Sequence, residues 1–105
     1  MGFVEDIRTL VAAGAVRTSV HASRRLQQKD ISYRLLLGSL DAADILELYP
    51  DYWHGPSFLA RHALPDGRIA HAVWGIAKDT RMPAVLITAY WPDSSQWDHE
   101  QRTRR

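Results

Sequence analysis

A change in hydrophobic spacing near Ala43 constrains the fold of this chain more than any other feature of its sequence. Before that point, apolar residues recur every three or four positions, which is typical of helices that bury one face. After it, short runs rich in β-branched and aromatic residues are separated by turn residues, as in strands. Helices followed by strands predict an α+β domain with N-terminal helices packed on one face of an antiparallel sheet. The opposite face of that sheet is then a candidate site.

Three helices are predicted in the first part of the chain. The first covers residues 3–13 and ends at Gly14, the second starts from a cap at Ser19 or Thr18, and Ser32 caps the third. Their apolar stripes are, in order, Phe3, Ile7, Leu10 and Val11; Ala22 and Leu26; and Tyr33, Leu36, Leu37 and Leu40. The segment between the first two helices is expected to be a short link.

About four strands are predicted in the second part. They read "DILELYP", "SFLARHAL", "RIAHAVWGIA" and "PAVLITAYW", and the last is apolar enough for a central strand. A closing turn or short helix, "PDSSQWD", precedes the polar end "HEQRTRR". Residues 1–98 are therefore expected to form one α+β domain, and residues 99–105 a polar tail.

The "PDG" sequence between the second and third strands indicates a hairpin and leaves two registers open. A type I turn followed by a bulge at Gly67 would place Leu64 opposite Arg68 and Arg61 opposite His71. A two-residue Asp-Gly turn would instead place His62 opposite His71. In either register His71 gains a polar neighbour.

Composition excludes several classes of protein. There is no cysteine, so disulfides, thiolate nucleophiles and cysteine-based zinc sites are absent. The sequence contains no P-loop, no dinucleotide fingerprint, no H-E-x-x-H and no nucleophile elbow. No apolar run approaches the ~20 residues that span a bilayer. We therefore expect a cytoplasmic protein that uses no cofactor and no metal.

The net charge of +1 hides an uneven distribution. Residues 1–40 carry six Lys/Arg against three Asp/Glu, whereas residues 41–60 carry four acidic residues and no Lys or Arg. Such a small net charge argues against a protein that coats nucleic acid non-specifically. A compact basic site for a few phosphates is compatible with it.

The candidate site residues come from separate segments. His21 lies in the first turn of the second predicted helix with Arg24 and Arg25 about one turn on, a plausible seat for a phosphate or carboxylate. His71 lies within an apolar strand, and Tyr90 ends the last strand. Each also has an ordinary structural explanation, because histidines often pack locally and strand-end tyrosines are often half-buried.

Four motifs in order give the chain a family resemblance. "SVHASRRLQQKDIS", then "YP", "DGRIAHAVW" and "ITAYWPDSSQWD", resemble the bacterial domain-of-unknown-function family DUF4258 from about Thr18 to Asp98. That family is similar in plan to the small BrnT and RelE toxins, many of which are metal-independent ribonucleases. The resemblance implies a RelE-like fold, by analogy of fold.

The resemblance also implies a catalytic set of His21, Arg24, His71 and Tyr90. In metal-free RNA cleavage His71 would act as base, His21 as acid or orienting group, Arg24 would bind the phosphate, and Tyr90 would lie beside it. The family's R-G step is here Lys29 and Asp30. Aspartate tolerates the left-handed conformation that ends a helix, but lysine lacks the bidentate phosphate contact of arginine.

Two functions from different classes follow from these features. The first is a toxin-like domain that cleaves or binds RNA, and the alternative is a non-enzymatic interaction module that uses the aromatic loop around Tyr52 and Trp53. The third is an enzyme that acts on a small molecule or uses a metal ion. The candidate partners are RNA, an antitoxin protein and a second copy of the chain. A cleft holding His21 and His71 would favour the first function, and a closed core with an exposed aromatic patch the second.

Overall fold

Three helices and five strands make up the fold in a computed structural model that describes residues 2–93. The α+β class is confirmed. Residues 94–98 of the predicted closing turn and the predicted tail, residues 99–105, lie outside the described residues. The elements in chain order are α1 (Phe3–Ala12), β1 (Val16–Thr18), α2 (Val20–Lys29), α3 (Tyr33–Ser39), β2 (Asp44–Tyr49), β3 (Ser57–Ala63), β4 (Ile69–Ile76) and β5 (Ala84–Tyr90).

The sheet differs from the prediction in strand number and in direction. Its order is β1-β5-β4-β3-β2, so it has five strands rather than four. Strand β1 runs parallel to β5, with Arg17 paired to Val85, which makes the sheet mixed rather than antiparallel. The predicted link thus contains a strand of three residues, a length too short to show the alternation by which strands are recognised in a sequence.

The hairpin between β3 and β4 adopts the bulged register. The backbone N–H of Leu64 donates to the carbonyl of Arg68 at 2.9 Å, and Gly67 has a φ of +90°, as the type I turn with a glycine bulge requires. Arg61 consequently faces His71. The alternative register is wrong, because His62 lies opposite Ala70.

Local side-chain chemistry sets the helix ends as predicted. The Ser19 hydroxyl accepts from the backbone N–H of Ala22, and the Ser32 hydroxyl accepts from that of Leu35. Asp30 ends α2 in the left-handed conformation, with φ 53° and ψ 51°. The departure from the R-G step therefore leaves the turn intact.

The hydrophobic core lies between the helices and one face of the sheet. Alternate residues of β4 point into it and the residues between them point away, because successive side chains of a strand face opposite sides. His71, Val73 and Gly75 therefore belong to the face that none of the three helices within residues 2–93 covers, called the helix-free face below. The core includes Ile7, Ala22, Leu36, Leu40, Phe58, Ala60, Ala70, Ala72, Trp74, Leu86 and Ala89.

The described helices were compared with what a membrane-spanning helix requires. Between residues 2 and 93, none has both the length and the apolar character that crossing a bilayer requires.

Candidate functional site

A line of polar side chains crosses the helix-free face on four adjacent strands. Asp44 of β2 pairs with Arg61 of β3, Arg61 pairs with His71 of β4, and His71 pairs with Tyr90 of β5. Paired residues on neighbouring strands project from the same face, so the four side chains lie side by side. We call Asp44, Arg61, His71 and Tyr90 the polar row.

Direct contacts connect the members of the polar row. A guanidinium nitrogen of Arg61 lies 3.3 Å from a carboxylate oxygen of Asp44. The Nδ1 atom of His71 lies 3.4 Å from the Tyr90 hydroxyl, and the two rings meet edge to face with centroids 5.4 Å apart. The row thus contains an ion pair and a histidine–tyrosine pair, which the strand pairing of Arg61 with His71 places next to each other.

Burial separates the groups that could touch a substrate from those behind them. His71 has no exposed surface, and 14% of the Arg61 side chain is exposed, whereas Tyr90 is half-buried. A substrate on this face would thus meet the Tyr90 ring and hydroxyl before it met the imidazole. His71 lies where it can hold the hydroxyl. Asp44 holds Arg61 from the more exposed side, since 42% of the Asp44 side chain is exposed.

His21 reaches the same face from α2. Its Nε2 atom lies 3.0 Å from the hydroxyl of Thr88, two residues before Tyr90 on β5. Two residues of a strand span about 7 Å. Because Thr88 pairs with Val73, it projects from the helix-free face, and His21 lies at the border of the polar row.

A further polar pair lies on the same face at the edge strand β2, where the Tyr49 hydroxyl donates to the Glu47 carboxylate.

The short length of β1 explains how a helix residue comes to this face. Beyond Thr18 the chain turns into α2, and the Ser19 N–H and hydroxyl donate to the carbonyls of Leu86 and Ile87 at 3.0 and 2.9 Å. The N-terminus of α2 is thereby fastened to the second half of β5, where a longer β1 would otherwise pair.

The four predicted site residues do not all lie together. His21, His71 and Tyr90 share the helix-free face, whereas Arg24 lines a separate groove with Thr18, Val20, Ser23, Leu26, Gln27 and Tyr33. The cation beside His71 is Arg61, which was not among the predicted site residues. The bulged hairpin register, which already paired Arg61 with His71, was the signal that could have identified it.

The second buried histidine belongs to the core rather than to the site. His62 accepts at Nε2 from the Trp74 indole N–H at 3.1 Å, and its Nδ1 lies 2.8 Å from the Ser39 hydroxyl. That hydroxyl donates to the Leu35 carbonyl at 2.7 Å, so the Nδ1 of His62 carries the proton. Burial above all, with smaller contributions from His71 and Arg8, lowers the pKa of His62 to about 4.

Two adjoining cavities lie on the helix-free face beside the polar row, and we call them together the trench. The first has a volume of about 300 Å³ and is lined in part by Arg17, Tyr52, His54, Gly75, Val85 and Ile87. The second, of about 210 Å³, is lined by Tyr49, Tyr52, Ser57, Val73, Ile87 and Thr88. The two share Tyr52 and Ile87, and the second reaches the residue that His21 contacts.

The described residues contain no group of three His, Asp or Glu side chains arranged to hold a metal ion. What they offer at the polar row and at His21 is one guanidinium, two imidazoles, a phenol and a carboxylate. These groups can bind an anion and transfer protons.

Comparisons of this protein with curated proteins and with solved structures gave no match. Residues 18–91, well over half of the chain, match the model of a protein family described as a domain of unknown function, DUF4258. The matched range runs from the last residue of β1 to the residue after β5, and it contains His21, the polar row and most of the trench. The chain therefore belongs to the DUF4258 family.

Proposed function

We propose that this chain binds RNA on the helix-free face of its sheet and cleaves it there without a metal ion. The observation that carries the proposal is the polar row, in which Arg61, His71 and Tyr90 stand in register on adjacent strands. A cation, a buried imidazole and a half-buried phenol on adjacent strands are groups that can support proton transfer next to a phosphate.

Cleavage would proceed by attack of the ribose 2′-hydroxyl on the neighbouring phosphorus. The exposed imidazole of His21 takes the hydroxyl proton, and Arg61 balances the charge of the phosphorane. Tyr90 gives its proton to the leaving 5′-oxygen, which produces a 2′,3′-cyclic phosphate and a free 5′-hydroxyl. Because His71 is buried, its place in this scheme is behind Tyr90 as a positioning residue rather than at the substrate as the base.

The similarity in plan to the BrnT and RelE toxins supports the proposal by analogy of fold. In this chain, too, the helices come before most of the strands, and within residues 2–93 no helix covers one face of the sheet. On this analogy the protein is a toxin-like domain of the cytoplasm, and its natural partner is an antitoxin that covers the helix-free face.

The test is cleavage of single-stranded RNA in the presence of a chelator. The purified protein is compared with Tyr90→Phe, which removes one hydroxyl and keeps the ring. We expect cleavage to fall about 100-fold, the usual contribution of a general acid. The matched control is Tyr33→Phe, since Tyr33 is also half-buried but lines the groove of Arg24, and this variant should cleave normally.

Each other outcome contradicts part of the proposal. Normal cleavage by Tyr90→Phe would remove the polar row from the mechanism. Loss of cleavage in Tyr33→Phe instead would move the site to the groove of Arg24. A wild-type protein that leaves RNA intact would refute the nuclease and favour the second candidate.

That second candidate is a non-enzymatic interaction module, and one observation favours it. Trp53 is 70% exposed, and its neighbour Tyr52 is 46% exposed with the ring centroids 6.4 Å apart, so an exposed aromatic patch follows the edge strand β2. A second copy of the chain would fit such a patch. Sedimentation of the wild type as a dimer, and of Trp53→Ala as a monomer, would support this function.

A further inference from the structure

The trench lies beside the groups assigned to cleavage and has the form of a ligand site. Its first cavity alone, about 300 Å³, is at the lower end of the usual range for small-molecule pockets, about 300–1,000 Å³. Its floor is apolar and includes Val85 and Ile87. Gly75 adds no side chain there, and a Cβ at that position would lie 2.8 Å from the Ile87 Cδ1 atom. The floor is thus flat where β4 and β5 meet.

The wall of the trench is aromatic and is held by backbone contacts. Tyr52 and His54 line it, and the Trp53 ring lies against the His54 ring with centroids 3.5 Å apart and an angle of 32° between the planes. The loop is fixed at Gly55, whose N–H donates to the Tyr52 carbonyl at 2.8 Å. The His54 carbonyl accepts from Lys78 at 2.8 Å. A Cβ on Gly55 would lie 2.0 Å from the Ile76 carbonyl oxygen, so the loop lies directly against the end of β4.

A cation stands at the far rim of the trench. Arg17 lines the first cavity, is exposed, and takes part in none of the ion pairs found within residues 2–93. A flat apolar floor, an aromatic wall and a guanidinium at the rim correspond to the three parts of a nucleotide site, which are two surfaces for the base and a charge for the phosphate.

We propose that the trench is a nucleobase subsite, in which one unstacked base lies between the Tyr52 ring and the floor at Ile87, with a flanking phosphate on Arg17. The inference rests on the proposed function for the identity of the ligand as RNA. The second cavity runs on to Thr88 and so to His21, which places the bound nucleotide next to the polar row. Bases of single strands have both faces available for such contacts.

The experiment measures binding by calorimetry with adenosine 5′-monophosphate, and with ribose 5-phosphate as the same ligand without a base. We expect the nucleotide to bind at least tenfold more tightly than the sugar phosphate, since base stacking on an aromatic side chain accounts for that factor or more. Tyr52→Ala should remove this difference. Arg17→Ala should weaken both ligands, whereas the control Arg34→Ala, on the exposed surface of α3, should weaken neither.

Equal affinity for the two ligands, no nucleotide binding at millimolar concentration, or unchanged binding by Tyr52→Ala would each overturn the inference. If Tyr52→Ala changes the sedimentation of the protein but not nucleotide binding, the aromatic loop is a protein contact instead. Adenosine 5′-monophosphate contains no phosphodiester bond for the proposed reaction to cleave, so its binding is independent of the cleavage test. Nucleotide binding without RNA cleavage would leave the subsite standing and refute the nuclease, and the reverse result would refute the subsite alone.

Discussion

His62 and His71 show how two buried histidines of one hairpin acquire different roles. Neither has exposed surface, but His62 points toward the helices and His71 toward the helix-free face. Both ring nitrogens of His62 are engaged, one by the buried Trp74 and the other by the partly buried Ser39 of α3. His71 instead contacts Tyr90, whose ring lies at the surface of the proposed site. The neighbours, rather than the degree of burial, separate the structural histidine from the candidate functional one.

The lowered pKa of His62 predicts a loss of stability in mild acid. Unfolded histidine binds a proton near pH 6.5, whereas His62 in the folded protein binds one near pH 4. The unfolded state therefore binds more protons between these values, so stability falls as the pH falls through this window. We expect a loss of about 3 kcal/mol between pH 7 and pH 4 from this group. Urea unfolding at several pH values measures it.

The matched variants for this prediction are His62→Gln and His54→Gln. The first should be less stable at pH 7 but should show a much shallower decline toward pH 4, since the titrating group is gone. His54 is exposed, so the second should keep the wild-type decline. Parallel pH profiles for the wild type and His62→Gln would refute the assignment of the decline to this residue.

At the scale of elements, α1 precedes the range that matches the family but is part of the core. Its Ile7 is fully buried, and Arg8 donates to the carbonyl of Ala43, just before β2, at 2.9 Å. The family range starts at residue 18, so the fold in this chain includes apolar contacts from outside that range. The helix is therefore a structural component of this protein rather than an appendage.

Truncation of Ile7 tests the contribution of α1. Ile7→Ala should lower the free energy of unfolding by about 3 kcal/mol, because it removes three buried carbons and leaves a cavity. The control Val20→Ala shortens an apolar side chain that is 71% exposed, and its effect should stay within about 0.5 kcal/mol. Urea titration with unchanged m-values makes the comparison. A loss below about 1 kcal/mol for Ile7→Ala would mean that α1 is dispensable.

Elements marked by a local pattern of residues could be predicted from the sequence, whereas β1 could not. The four later strands, the caps at Ser19 and Ser32 and the left-handed Asp30 each follow from local side-chain chemistry. Strand β1 has three residues and is a strand only because β5 lies beside it. Its pairing joins residues that are 68 positions apart, which no local pattern encodes.

On the scale of the whole molecule, the sheet separates the hydrophobic core from a face that carries the polar row and the trench. The hairpin turn fixed the pairing of Arg61 with His71, so this half of the polar row was predictable once the register was chosen. The location of Arg24 could not be predicted, because the side of α2 that faces the sheet depends on where β1 ends. To predict that Asp44 belongs to the polar row, the register between β2 and β3 would have to be known. That register is irregular between Ile45 and Glu47.

The charge of the whole molecule predicts how RNA binding depends on salt. The net charge is +1, and the helix-free face carries Arg17 and Arg61 as its arginines in the sheet. Two or three phosphate contacts to a single strand give a slope of about −1.4 to −2 in log affinity against log salt. Fluorescence anisotropy with labelled RNA between low and moderate salt measures the slope. A slope steeper than about −4 would indicate a broad basic surface in place of the compact site.

The early end of β1 also limits how copies of this protein could polymerise through their sheets. Along β5, the N-terminus of α2 occupies the space past Thr18, and β1 itself offers an outer edge of only three residues. An edge that short is a poor template for another strand. Among the described strands β2 is left as the one long edge, and a two-fold contact through a single edge is closed once two chains have joined. Fibril growth by edge-to-edge addition is therefore blocked on one side of the sheet by the connection that also carries His21 to the helix-free face.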